Sequence, residues 1–420
     1  MKRLFFTLLL LTALTNYLFA DTLTVMQYNL MYYDKEYDDC TSETNNVDSK
    51  DGYLRTIVEY VNPDILTVNE VNASIASVER IKNNVLNVNG VTKYLRANFS
   101  GDFLANMLYY NSEKLELISQ GAISTSPRET NVYKLKVIAS GSAKSDDIYL
   151  YCFVTHLKAG SYSSDEDDRT TAATAIMNYI STNNITGNVL LMGDMNLYRA
   201  SEGAFTTFTT PIGTSQFRFY DPINQVGDWN NNYDYRLIHS QSTHSSSEPC
   251  FSSGGMDDRF DFILSSSNII SGTDGLKFVD YKTIAQDGNR FNQSLISPEN
   301  SSVSTDVLNA LYSMSDHLPI RMQLYYDSNT SSVSNNYSTP KILYNNPVTN
   351  TLNIKAFDPS TKIKSVSIYN IIGKKLTEYN ANNLDEVNLN IADAQTGLLI
   401  VSVRFSNNKS TTFKVLHNSY

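Results

Sequence analysis

NVLLMGDMN, residues Asn188–Asn196, is the stretch from which the rest of the chain can be read. Val189, Leu190, Leu191 and Met192 form a continuous apolar run, the pattern of a short strand buried on both faces. Gly193 lets the backbone turn with no side chain in the way. Asp194, an acceptor-only carboxylate, and Asn196, an amide that both donates and accepts, follow directly. Two such groups one residue apart at the mouth of a buried strand address the same space. Taken alone, G-D-x-N is equally a strand-to-loop turn whose Asp and Asn cap backbone groups. The other strand ends decide between the two.

Upstream, Thr22–Met31 (TLTVMQYNLM) reads as a strand with Asn29 near its end. Leu54, Ile57, Val58 and Val61 recur at helical spacing and stop before Pro63. Ile65–Glu70 (ILTVNE) is a strand ending in a carboxylate, and Ile75–Leu86 is helical through Val78, Ile81 and Val85. Met107–Tyr110 and Leu115–Ile118 flank Asn111–Lys114 as in a hairpin, and Tyr133–Ile138 and Tyr149–His156 are further strands. A helix is expected from about Thr170 to Thr182, with Asp167 and Asp168 as N-terminal caps. Residues 201–255 are long, polar and irregular, as in a functional loop or an elaboration near a site, and His239 and His244 within it read as solvated. Arg259–Leu264 (RFDFIL) and Ser315–Leu324 (SDHLPIRMQL) restore the strand pattern. Alternating strands and helices with polar strand ends predict an α/β body that binds its ligand at those ends.

Length and composition point to a soluble catalytic body with a smaller module. The 420 residues are 41% hydrophobic and 18% charged, with 28 Tyr, and the net charge is −10. Residues 1–20 hold two Lys/Arg and no acid, and 340–420 hold nine Lys/Arg against five acids, which leaves −16 for the section between. Such a body cannot grip a polyanion by net charge, so an anionic substrate would need a cation or a locally positive cleft. Lys2, Arg3 and the apolar run Leu4–Leu14, with Ala20 beyond, read as a signal peptide over residues 1–20. That run is too short for a membrane span, and no other stretch qualifies. Cys152, in YCFVTH, reads as a buried apolar residue, whereas Cys40 and Cys250 lie in polar surroundings and could pair in an oxidising compartment. Residues 327–339 have linker composition, and 340–420 read as a small β-sandwich with strands Leu352–Ala356, Val366–Tyr369, Val387–Ile391, Leu398–Phe405 and Thr411–Leu416.

The polar strand ends are Asn29, Glu70, His156, Asp194, Asn196, Asp261, Asp316 and His317. Each alone is unremarkable: a solvated edge, a satisfied His, or an Asp261 paired structurally with Arg259. Together, with YN at 28–29, PDILTVNE at 63–70, THL at 155–157, GDMN at 193–196, RFDFIL and SDHLP, they make residues 21–326 resemble the endonuclease/exonuclease/phosphatase superfamily. The resemblance implies the DNase-I-like four-layer sandwich, an α/β fold of two packed mixed β-sheets flanked by helices. It also implies a divalent cation, usually magnesium, with calcium or manganese as alternatives, and hydrolysis of phosphoester bonds.

By the same resemblance Glu70, Asn29 and Asp316 are metal ligands, and Asp194 and Asn196 orient the attacking water and the phosphate. His317 is the base or phosphate-polarising group held by Asp261, and His156 sits across the phosphate, assisting the leaving group or stabilising charge. Arg128, in SPRET, resembles a phosphate-contacting Arg. The chain departs from some family nucleases in offering Leu104, Ala105 and Asn106 where a Glu stands behind the first His. YNNPVTNTLNI, SIYNIIGKKL, TGLLIVSV and TTFKVLHN make residues 340–420 resemble the type IX secretion sorting domain of Bacteroidetes. The expectation is therefore a secreted monomer, exported through the periplasm by the type IX machinery and cutting nucleic acid, DNA first, as an endonuclease. A sphingomyelinase or other phosphate-ester hydrolase, and a cell-surface binding protein with a vestigial site, are the alternatives.

Overall fold

The computed structural model describes residues 21–138, 147–214, 216–326, 342–346, 348–356, 362–371, 373–392, 394–407 and 409–418. The expected leader (1–20) and linker (327–339) lie outside the described residues. The chain divides into two compact units, 1–331 and 332–420.

In the first unit the chain runs through β1 (Asp21–Tyr33), α1 (Val47–Val61), β2 (Ile65–Asn72), α2 (Ile75–Arg80, continued by a π-turn over Ile81–Leu86), β3 (Tyr94–Arg96) and β4 (Leu104–Asn111). Then come β5 (Leu115–Ile123), β6 (Thr130–Val137), β7 (Tyr149–His156), α3 (Ser163–Thr182), β8 (Asn188–Asp194), α4 (Gly203–Thr209) and β9 (Phe219–Tyr220). The unit closes with β10 (Asp261–Ser266), α5 (Ser267–Ser271), β11 (Leu276–Thr283), α6 (Thr305–Met314) and β12 (Ile320–Tyr326). Two six-stranded sheets result, ordered β11-β12-β1-β2-β4-β3 and β5-β6-β7-β8-β10-β9. Both are mixed, since β1–β2 and β7–β8 are parallel and the other pairs antiparallel.

Three apolar clusters make four layers of these elements. Leu23, Val25 and Leu324 of one sheet meet Leu135, Leu190 and Met192 of the other. The far face of the first sheet packs Met26 and Leu66 against Leu54 and Ile57 of α1 and Leu311 of α6. The far face of the second packs Val189 and Leu191 against Ile176 of α3 and Phe205 of α4. Strand β8 thus spends alternate residues on two different cores, which is why its run is apolar without a break. This is the α/β four-layer sandwich expected of a DNase-I-like fold.

Three local expectations need correction. β4 and β5 are not a hairpin: β4 pairs with β2 and β3, and β5 pairs with β6 in the other sheet. The 112–114 turn carries the chain from one sheet to the other, with Tyr110 and Leu115 both in the core between them. Helix α3 begins at Ser163, not Thr170, so Asp167 and Asp168 lie inside it; Asp165 accepts the Tyr162 N–H at 3.2 Å instead. His239 and His244 are 0% and 1% exposed, not solvated. His239 Nε2 lies 2.9 Å from the Trp229 carbonyl, and the His244 ring stacks on Tyr312 at 3.9 Å.

The second unit is all β. Strands β13 (Ile342–Tyr344), β14 (Thr351–Ala356) and β17 (Glu386–Asn390) form one sheet. Strands β15 (Ile363–Asn370), β16 (Lys375–Leu384), β18 (Gly397–Phe405) and β19 (Ser410–His417) form the other. Leu352, Ile354, Val366, Val401 and Val403 fill the core of this sandwich.

Candidate active site

The strand directions gather the polar ends. Parallel β1, β2, β7 and β8 deliver Asn29, Glu70, His156 and Asp194 at or near their C-terminal ends. β10 runs antiparallel to β8, so it begins there: Asp261 is registered opposite Asp194. β12 likewise begins beside β1, with Ile320 opposite Gln27, which brings Ser315–His317 to the same rim. Ser315 Oγ donates to the Asn29 carbonyl at 2.8 Å and accepts the His317 N–H at 3.1 Å.

Gly193 is what allows β7 and β8 to close here. Its φ is 149°, and a Cβ would fall 1.8 Å from the Thr155 carbonyl oxygen. Beyond it Asp194 Oδ2 accepts from Asn29 Nδ2 at 2.9 Å, and Oδ1 accepts the Asn196 N–H at 3.1 Å. Asn29 Nδ2 also reaches Glu70 Oε1 at 3.1 Å, so this one amide bridges two carboxylates. His156 Nε2 lies 3.7 Å from Glu70 and 3.4 Å from Asp194. Glu70, His156 and Asp194 each offer a ligand atom, all within 4.8 Å of one another. Two carboxylates so close, with one amide between them, repel unless a proton or a cation intervenes. Burial, opposed by His317 and aided by Asp261 and Glu70, raises the Asp194 pKa to about 7. Burial, with Arg128 and His317 adding to it, holds His156 well below 6.5, so its ring is neutral and Nε2 is free to ligate. Two hard oxygens and one imidazole nitrogen therefore suit a divalent cation.

Asp316 stands apart from that trio. Its Oδ2 accepts from Gln241 Nε2 at 3.0 Å and from the Ser252 N–H at 3.3 Å. Asn29 turns its amide nitrogen, not its oxygen, toward Glu70 and Asp194, and its Oδ1 accepts the Met31 N–H at 2.9 Å.

Asp261 and His317 meet as a pair, Oδ2 to Nδ1 at 2.7 Å, both buried. The alternative partner for Asp261 is excluded by the same geometry: Arg259 forms a two-pronged buried bond to Asp221. Ser240 Oγ donates to Asp261 Oδ2 at 2.8 Å and accepts the Asp261 N–H. Burial opposes a charged His317, but Asp261, Asp194 and Asp316 outweigh it and hold its pKa well above 6.5. Gln241 pulls the other way: its NH2 group, fixed by Asp316, sits 2.8 Å from His317 Nε2, a contact that requires a bare nitrogen. The Nδ1 proton is thus fixed on Asp261, while the Nε2 proton is contested and exchangeable.

Arg128 Nε and Nη2 donate to the His156 and Leu157 carbonyls at 3.3 and 3.1 Å, which places the guanidinium beside the trio. Asn196 Nδ2 reaches the Leu157 carbonyl at 3.3 Å. Behind His156 the position left without a Glu stays empty of partners, and Nδ1 has no hydrogen bond. Asn106 instead joins a buried chain between the sheets, accepting from Asn69 Nδ2 at 2.7 Å, while Asn69 Oδ1 accepts from Gln27 Nε2 and from the Asp194 N–H. Asn69, Ser240 and Gln241 were not singled out from the sequence, and Asn106 only as a departure from the family pattern. Asn69 and Asn106 carried a usable signal, an amide inside an apolar strand. The other two lie in the irregular 201–255 stretch, which thereby proves to build the site's wall.

The four-layer α/β sandwich is the class that fold and rim define. No curated protein matches the chain. Residues 338–417 match a family described as a domain of unknown function (DUF8694). Among solved structures, an endonuclease/exonuclease/phosphatase family protein from Bacteroides thetaiotaomicron is similar at 13% identity, over 73% of this chain and 99% of that one, with a TM-score of 0.46. Zebrafish (D. rerio) TDP2 complexed with a single-strand DNA product is 16% identical over 72% and 98%, TM-score 0.46. The B. thetaiotaomicron mannosyl-6-phosphatase is 12% identical over 72% and 99%, TM-score 0.45.

Proposed function

We propose that the first unit is a divalent-cation-dependent phosphodiesterase of the endonuclease/exonuclease/phosphatase superfamily, acting on DNA. The observation that carries this reading is the convergence of Glu70, His156 and Asp194 opposite a buried Asp261–His317 pair. A cation held by the trio would neutralise charge that builds on the phosphoryl and leaving oxygens. Arg128 pairs with a non-bridging phosphate oxygen from the neighbouring rim. Asp194 orients the attacking water and accepts its proton on a carboxylate oxygen that the cation leaves free. Asn196 fixes the phosphate beside it. His317, its Nδ1 proton held by Asp261 and its ring kept charged by the surrounding carboxylates, turns an Nε2 proton to the phosphoryl oxygen in place of Gln241 and stabilises the negative charge there. His156, neutral and with no carboxylate behind it, carries its one proton on Nδ1 when Nε2 ligates, and so serves as a ligand rather than as the leaving group's proton donor.

Two further parts of the reading concern location. The leader-like residues 1–20 and the Cys40–Cys250 disulfide support export to an oxidising compartment. The resemblance of 340–420 to a sorting module supports delivery by the type IX machinery. Among the described residues no helix is long and apolar enough to cross a membrane.

Purified protein offered plasmid, RNA, sphingomyelin and a simple phosphodiester, with magnesium, calcium, manganese or chelator, tests the activity. DNA cleavage that needs a cation is expected, and cleavage of sphingomyelin alone would replace the substrate. With DNA, Arg128→Ala should weaken binding alike on all sequences and flatten the salt dependence by about one unit of slope. An unchanged slope would remove Arg128 from the phosphate site.

A further inference from the structure

Lys50 is a lysine with no carboxylate. It sits on the first turn of α1, 2% exposed, and its Nζ donates to the Leu30 carbonyl at 2.8 Å, the Met31 carbonyl at 2.5 Å and Asn45 Oδ1 at 2.6 Å. Burying an ammonium this deeply is costly, and a structural role could be filled by an apolar side chain. What it holds is unusual backbone. Met31 and Tyr32 both adopt left-handed φ, 45° and 49°, where β1 breaks register with β2 between Asn29 and Tyr33. Neither residue is of a type that favours that region. Asn45 Nδ2 donates to the same two carbonyls' neighbourhood, to Tyr32 at 2.9 Å and Met31 at 3.3 Å.

The bulge so gripped aims two site residues. The Met31 N–H donates to Asn29 Oδ1 at 2.9 Å, which leaves the Asn29 amide nitrogen directed at Glu70 and Asp194. The Tyr32 N–H donates to Glu70 Oε2 at 3.1 Å, which leaves Oε1 facing His156. We propose that Lys50 is a positioning residue: its ammonium holds the Leu30–Tyr32 bulge, and the bulge sets the Glu70 carboxylate for a divalent cation. The inference rests on the cation reading of the site. Burial draws the Lys50 pKa down to about 7, and Glu70 and Asp316 pull against it in favour of the ammonium.

The test uses Lys50→Ala in the full chain. Lys50 also lines a surface cavity with Asn45, Ser49 and Tyr53, so a small amine can reach the vacated space. Magnesium and manganese affinity would be measured by calorimetry, and exchange of the Tyr32 amide by NMR without metal. The expected result is about tenfold weaker cation binding, the scale seen when a ligand's supporting partner is lost. Tyr32 amide protection should fall with it, and propylamine, but not propanol, should restore both. Wild-type affinity and protection in Lys50→Ala, or rescue by propanol as well as by the amine, would overturn the proposal. If Lys50→Ala does not fold, Asn45→Ala replaces it, and unchanged cation affinity there is equally fatal. If the wild type binds no cation, the cation reading of the site fails, while the amide exchange still judges whether Lys50 sets the bulge.

Discussion

Asp261 and His317 stand 56 positions apart and 2.7 Å from each other, and the charge on that ring is set by what surrounds it. Changing Asp261 to Asn removes the carboxylate that leads the opposition to burial, so the His317 pKa should fall, read directly by NMR titration of the ring. The sign for stability follows from linkage. A folded-state pKa raised above about 6.5 contributes stability that is fully present below 6.5 and is lost as pH rises through the folded value. The deficit of Asp261→Asn should therefore be largest in acid and shrink above neutrality. Activity should drop by as much as ~10⁴-fold, the scale set by the Asp-to-Asn change in a serine-protease triad, because an amide can hold the wrong tautomer. A His317 midpoint that does not move would separate the two residues functionally.

Strand β8 meets β7 at a glycine, and the closeness of that approach is what the site depends on. Gly193→Ala would drive a methyl into the Thr155 carbonyl and part β7 from β8, so a loss of more than about 3 kcal/mol is expected in urea unfolding. A loss under 1 kcal/mol would mean that the strands do not approach this closely. Elements like β8 were readable because both of their faces are buried and the apolar run says so. The strand ends were readable because a carboxylate or amide after such a run has few reasons to be there. The β4–β5 link was not readable, since a tight polar turn looks the same whether the chain folds back or crosses to another sheet. His239 and His244 were misread for a related reason. Their polar surroundings in sequence hide partners that are backbone carbonyls and rings, Trp229, Met256, Phe251 and Tyr312. Ser240 and Gln241 act through residues distant in sequence, and Lys50 grips the Leu30 and Met31 carbonyls some 20 positions upstream, so little local to them marks their role.

For the whole molecule, the two units ask to be tested apart. The first unit has its own three apolar clusters, and the disulfide Cys40–Cys250 closes a 210-residue separation within it, a loop long enough to contribute on the order of 5 kcal/mol. If residues 340–420 direct export as proposed, removing them should leave an enzyme with the full chain's rate, retained in the periplasm of the producing cell rather than released. Lost activity with normal release would assign the second unit to catalysis or substrate binding instead.

In the proposed mechanism Glu70, His156 and Asp194 hold a cation that hydrolysis needs. The most direct measurement is the rate of DNA phosphodiester hydrolysis against free magnesium and manganese, for wild type and Glu70→Gln, with chelator as the zero point. No hydrolysis is expected in chelator, with recovery on adding either ion. For Glu70→Gln the curve should be displaced to at least tenfold higher cation concentration. Full activity in chelator, or superimposable curves for the two proteins, would contradict that mechanism.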